Sequence, residues 1–148
     1  VVRFLVYGEA RPAGSKRALP VKMRDGSISL RVVHDNPRTV QWMHAVRLAA
    51  AEAMEHGGQQ PSHAPIMLDI EFQHQRPKAH YRANGLLKEA APHWKVSRPD
   101  LSKLVRAVED ALKGIVWRDD SQVAAIRALK TYGDISTTII TVYESVHR

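Results

Sequence analysis

Cysteine is absent from the 148-residue chain. Disulfides, thiolate nucleophiles and Cys-ligated zinc are therefore excluded together, as suits a reducing compartment. Carboxylates are the scarcer charge, with 15 Asp and Glu against 22 Lys and Arg and a formal net charge of +7. With a sequence pI near 10.0, the expected partner is a polyanion. No apolar run approaches the roughly 18 to 20 residues of a membrane span, and the N-terminus does not read as a signal peptide. Nucleic acid is thus the expected polyanion and the cytoplasm the expected setting. Also missing are a phosphate-binding glycine loop, a dinucleotide fingerprint, a zinc-protease helix motif and a serine nucleophile elbow. The eight histidines are scattered, without metal-ligand spacing. At this length one domain, 1–148, with its own core is expected.

Strand and helix signals alternate without repeats. Val2 to Tyr7 is rich in strand formers and closes at Gly8. A turn-rich, cationic loop follows, from Glu9 through Lys16 and Arg17. Asp25-Gly26, between Val21–Met23 and Ile28–Val33, predicts a hairpin. Asn36-Pro37 reads as a helix cap and first turn, and the helix it opens carries Val40, Met43, Val46, Ala50 and Met54 toward a core until His56-Gly57-Gly58 ends it. Ile66, Leu68, Ile70 and Phe72 alternate with polar neighbours, as in a half-buried strand.

Periodicity then fails from Gln75 to Pro99, where cations including Arg76 and Lys78 are interleaved with His80, Tyr81, His93 and Trp94. Either this is a solvated surface loop, or its rings and cations lie along a nucleic-acid backbone. A second helix carries the stripe Leu101, Leu104, Val105, Val108, Ala111 and Leu112, with Ser102, Arg106, Glu109 and Lys113 on another face. Val123–Thr131 and Ile135–Tyr143, separated by Tyr132-Gly133-Asp134, predict a closing hairpin. The expected fold is α+β, a mixed sheet of about five strands packed with two main helices.

The densest chemistry lies between Arg98 and Val123. Asp100 precedes the second helix, Glu109 and Asp110 sit on it, and Asp119-Asp120 follow its Gly114 stop. Each has an ordinary explanation: an N-cap for Asp100, ion pairs with Arg106 or Lys113 for the helix acids, a polar turn for the pair. Taken jointly, carboxylates inside a basic chain suit a hard-oxygen site for Mg²⁺ or Mn²⁺. Such an ion serves phosphodiester hydrolysis, with Arg106 or Lys103 neutralising the scissile phosphate.

At these residues the chain resembles the RusA family of Holliday junction resolvases. Members typically carry [K/R]-P-D-x-D-N-L-x-K-A-x-x-D-A-L-x-G and then D-D-x-Q-V. Here Arg98-Pro99-Asp100-Leu101-Ser102-Lys103-Leu104 opens the first motif, Asp110-Ala111-Leu112-Lys113-Gly114 closes it, and Asp119-Asp120-Ser121-Gln122-Val123 matches the second. The resemblance implies a homodimeric, Mg²⁺-dependent endonuclease that cuts branched DNA. It makes Asp100 and Asp120 the catalytic carboxylates, Asp119 an accessory one and Arg106 the counterpart of the family's helix lysine. It also places Lys130 where members often carry a lysine, a DNA contact alongside Lys16, Arg17, Arg76, Lys78 and Lys103. Ser102 departs from the pattern, since relatives have a second aspartate there. Glu109, two turns on along the same face, is the residue that could restore the charge, giving Asp100, Asp120 and Glu109 as the expected metal ligands. The alternative is a junction- or flap-binding protein with weakened or absent catalysis.

Overall fold

The computed structural model describes residues 1–14, 16–34 and 36–145, with backbone only at 16, 17 and 32–34. Its strands are β1 (Val2–Tyr7), β2 (Lys16–Lys22), β3 (Ile28–His34), β4 (Ile66–Gln75), β5 (Val123–Gly133) and β6 (Thr137–Glu144). Its helices are α1 (Pro37–His56) and α2 (Leu101–Leu112), with short 3₁₀ turns at Lys78–His80 and Asp120–Gln122. The α+β class and mixed sheet agree with the sequence reading. The strands divide into a four-stranded sheet of order β1-β6-β4-β5 and the separate hairpin β2-β3.

The main sheet is built around β4, which pairs antiparallel with β6 and parallel with β5. The predicted closing hairpin is therefore not formed. β5 and β6 are joined by a short connection but lie on opposite sides of β4. The chain reaches β5 from β4 through α2, the crossover that parallel neighbours require. Period-two alternation sends Ile66, Leu68, Ile70 and Phe72 to one face, in register with Phe4, Val6, Ile140 and Val142 across β1 and β6. All of these are buried, together with Trp42, Met43 and Val46 of α1 and Leu104, Ala107, Val108 and Ala111 of α2.

The Asn36 side chain caps α1 by accepting from the Arg38 amide at 2.9 Å. Val40 does not join the core as expected; it is 47% exposed, and Thr39 and Trp42 occupy the inward positions of that turn. In the β2-β3 hairpin, Gly26 takes φ 85°, as the predicted Asp-Gly turn requires. The 76–98 segment has little regular structure but is pinned along the free edge of β5. Trp94 pairs antiparallel with Thr131, the Lys95 amide donates to Lys130 O at 3.1 Å and the Tyr132 amide to His93 O at 3.0 Å. This edge is thus covered rather than left open to pairing.

Candidate active site

Asp100 occupies the N-cap position of α2, but its side chain makes no capping hydrogen bond. The ordinary explanation for an aspartate there is therefore not realised, and the carboxylate stays available, 3.8 Å from Lys103 Nζ and 61% exposed. It opens into a cleft of about 440 Å³ lined by Glu9, Arg11, Asn36, Arg98 and Lys103, among others. The far wall is the loop after β1. Its Ala13 amide donates to Lys103 O at 3.0 Å, and Thr39 Oγ1 donates to Pro12 O at 2.9 Å.

Lys130 reaches the approach to α2 from the sheet. Its Nζ donates to Ser97 O and to Pro99 O, both at 2.8 Å, so its ammonium is turned onto the backbone that carries Asp100. Charged hydrogen bonds contribute about 1.5–3 kcal/mol each before screening, and this side chain is only half-buried. Lys130→Met should accordingly lose about 2 kcal/mol in urea unfolding; an unchanged midpoint would show that the 97–99 segment holds without it.

The other acidic residues gather at the opposite end of α2. The Trp117 side chain is fully buried, and its Nε1 donates to Asp120 Oδ1 at 2.9 Å. Gln122 holds the turn itself. Its Oε1 accepts from the amides of Arg118 at 2.9 Å and Asp119 at 2.8 Å, while its Nε2 donates to Ser62 O and Ala64 O, both at 2.9 Å. Asp119 caps the 3₁₀ turn by accepting from the Ser121 amide at 2.9 Å and faces Lys113 Nζ at 3.4 Å. Those partners, Ser121 foremost, lower its pKa to about 2.

Glu109 is half-buried on α2, and its carboxyl is pushed above the usual range by burial first, then by the Asp120 and Asp110 carboxylates, against the opposing pull of Arg106. A carboxyl with a raised folded-state pKa binds its proton more tightly folded than unfolded, so its contribution to stability falls as pH rises above the ordinary glutamate range. Glu109→Gln should therefore raise the unfolding midpoint at pH 7 in EDTA and lose that advantage below about pH 4. A midpoint gain that persists unchanged in acid would assign the effect to something other than this charge.

The structure thus couples Glu109 electrostatically to Asp120 and sets Asp100 apart from Glu109. From Asp100 to Glu109 the helix rises about 13 Å, too far for two side chains to share one ion at ligand distances of about 2.1 Å. Among the described residues, no three His, Asp or Glu side chains surround one point. Ser102 and Arg106 are exposed on α2 between the two ends.

The predicted DNA contacts also separate. Arg76 donates from Nη1 to Pro92 O at 2.7 Å and lies over the Tyr132 ring, whereas Lys78 is exposed on its 3₁₀ turn. The side chains of Lys16 and Arg17 lie outside the described residues.

The sequence family of endodeoxyribonuclease RusA matches residues 9–143, nearly the whole chain. The chain belongs to the RusA family. It is also similar to the uncharacterized protein YqaN of Bacillus subtilis (strain 168), 27% identical over 139 residues, with 90% of this chain and 89% of YqaN covered. The RusA match includes both ends of α2, the turn before β5 and the loop after β1. Four residues of that RusA region went unassigned in the sequence: Arg11 and Arg98 of the cleft, and Trp117 and Gln122 of the acidic turn. Arg98 and Gln122 left a signal, as the opening [K/R] of the first motif and the glutamine of D-D-x-Q-V. Trp117 looks in sequence like any core aromatic.

Proposed function

We propose that this RusA-family protein is a structure-selective, Mg²⁺-dependent endonuclease that resolves four-way DNA junctions by paired phosphodiester hydrolysis. The observation that carries the reading is the uncapped Asp100 carboxylate in a cleft with Arg11, Arg98 and Lys103, inside the span that matches an endodeoxyribonuclease family.

A hard dication suits the donors present. They are carboxylate oxygens, and the half-buried Glu109 beside Asp120 concentrates negative charge that a cation would neutralise. One or two carboxylates with retained waters are what Mg²⁺ ordinarily takes, and Mn²⁺ tolerates the same ligands. When bound, the ion supplies a water of lowered pKa and polarises a phosphoryl oxygen. Asp120 is held for this purpose by Trp117, Glu109 supplies the second carboxylate at that end, and Asp119 keeps the turn in shape. Arg106, between the two ends, offsets charge developing on the phosphate. The cleft cations Arg11, Arg98 and Lys103 position the strand, and Asp100 offers a further carboxylate ligand beside it.

Two symmetric cuts require two sites, hence a homodimer. The hairpin offers apolar surface for a second copy, with Ile28 72% and Leu30 70% exposed. Branched DNA is the partner and the cytoplasm the setting.

A second reading, junction or flap binding with weakened catalysis, is favoured by Ser102 and by the separation of Asp100 from Glu109 along α2. Junction cleavage in Mg²⁺ by the parent and by Asp100→Asn decides between them. The parent should cut and the variant should bind without cutting; a parent no more active than the variant leaves only the binding reading.

A further inference from the structure

Glu9 occupies an unusual position in this basic protein. It lines the 440 Å³ cleft of Asp100, a second cavity of about 270 Å³ with His74 and Arg76, and a third of about 340 Å³ with Arg38 and Trp42. Apart from Glu9, Asp100 is the sole acidic group among the residues lining the three; the cations are Arg11, Arg98, Lys103, Arg76 and Arg38. Beneath the second cavity, His74 is 4% exposed, and its Nε2 has no hydrogen-bond partner among the described residues. With Nδ1 donating to Phe72 O at 3.3 Å, Nε2 of the neutral ring is an acceptor that a bridging water would satisfy.

The Glu9 carboxylate binds Arg11 Nη2 at 3.1 Å, with Glu9 exposed and Arg11 half-buried. An ion pair of this kind between near neighbours in a loop contributes little to stability. Its larger effect is on what else can bind. A carboxylate presents an arginine with the same planar pair of anionic oxygens as a phosphodiester, so Glu9 occupies the guanidinium that a DNA strand in the cleft would use and repels the strand's charge.

Resting on the DNA-endonuclease reading, we infer that Glu9 is a specificity-determining competitor for the DNA backbone. A partner that places phosphates in one cavity alone meets this competition with few compensating contacts. A branch point that sends backbone into more than one cavity engages Arg98, Lys103, Arg76 and Arg38 together and overcomes it. Glu9 thereby disfavours linear duplex relative to branched DNA, which is selection by a repulsive element.

The test is equilibrium binding in EDTA of the full chain to a linear duplex and to a four-way junction, across a salt series. Glu9→Gln should tighten duplex binding about fivefold, the scale of one exposed charge pair, and junction binding by less, narrowing the selectivity. Arg11→Gln should weaken both and lower the salt slope by about one, and in the Glu9→Gln/Arg11→Gln double variant the gain from Glu9→Gln should shrink. Arg47→Gln, on an exposed part of α1 outside all three cavities, should change neither affinity. If the parent binds both DNAs and Glu9→Gln alters neither, or tightens both equally, the assignment of Glu9 is wrong while the endonuclease reading stands. If the parent binds neither DNA, both fall.

Discussion

Asp120→Asn should reduce Mg²⁺-dependent junction cleavage by about 100-fold or more, the scale on which removal of one electrostatic element of a hydrolytic site is felt, with folding and junction binding retained. The substitution is isosteric. The asparagine Oδ1 can still accept from Trp117 Nε1, the 2.9 Å bond that holds this side chain. What is lost is one negative charge, and with it a carboxylate ligand for a hard cation.

The same loss also relieves Glu109, whose carboxyl is held high in part by Asp120. The unfolding midpoint at pH 7 in EDTA should therefore stay level or rise. That combination, activity lost without loss of stability, separates a functional charge from a structural one. If Asp120→Asn cuts like the parent, the end of α2 near the turn is not the metal end; if it unfolds, Asp120 serves the turn.

Asp100→Asn adds the complementary information. Asp100 has no capping bond to lose, and if it lies at a site separate from that of Asp120 the two losses should add. A double variant no worse than the poorer single one would mean that the two carboxylates act as one unit after all.

What could be read from residues alone was whatever rests on local periodicity. The β4 alternation, the α2 stripe, the Asn36 cap and the Asp-Gly turn are short-range patterns, and the chain forms each of them. The pairing of β5 is not of that kind. Tyr132-Gly133-Asp134 is a plausible hairpin connection, and only the inward faces of both flanks decide that β4, with its buried Ile66, Leu68, Ile70 and Phe72, lies between them.

The acidic site shows the same division. Asp100 and Asp120 stand out as candidates in the motif spacing, and Glu109 by its place on the same helical face. The spacing of Asp100 and Glu109 follows from the rise of α2, and Asp120 is held by Trp117, whose side chain anchors it from within the core. Lys130 was legible as a cation, but its attachment to Ser97 O and Pro99 O depends on the parallel register of β5, which no local pattern encodes. Arg11 and Arg98 are far apart in sequence and meet at Asp100 only after the β1 loop is tied to α2.

Gln122→Ala should be among the most damaging substitutions of a polar side chain. Its amide fills all four hydrogen-bonding positions, accepting from Arg118 and Asp119 amides and donating to Ser62 O and Ala64 O. Truncation leaves these backbone groups in a half-buried place to find water or go unpaired, at a cost of about 2–4 kcal/mol. For a domain of this size that is a fall in melting temperature of roughly 6–12 °C.

Gln122→Glu sharpens the test. A carboxylate can replace Oε1 but turns a second anionic oxygen toward the carbonyls of Ser62 and Ala64, and it stands beside Asp119 and Asp120. Its folded-state pKa must rise, so its deficit should grow as pH increases above the usual glutamate value and shrink in acid, where the protonated group can again donate one bond. Cleavage should fall in both variants even under conditions where they remain folded, because the same amide sets the turn that presents Asp120. A Gln122→Ala protein with parental melting temperature would show that water satisfies the turn; one that is destabilised yet cleaves at the parental rate while folded would show that Asp120 is positioned by Trp117 alone.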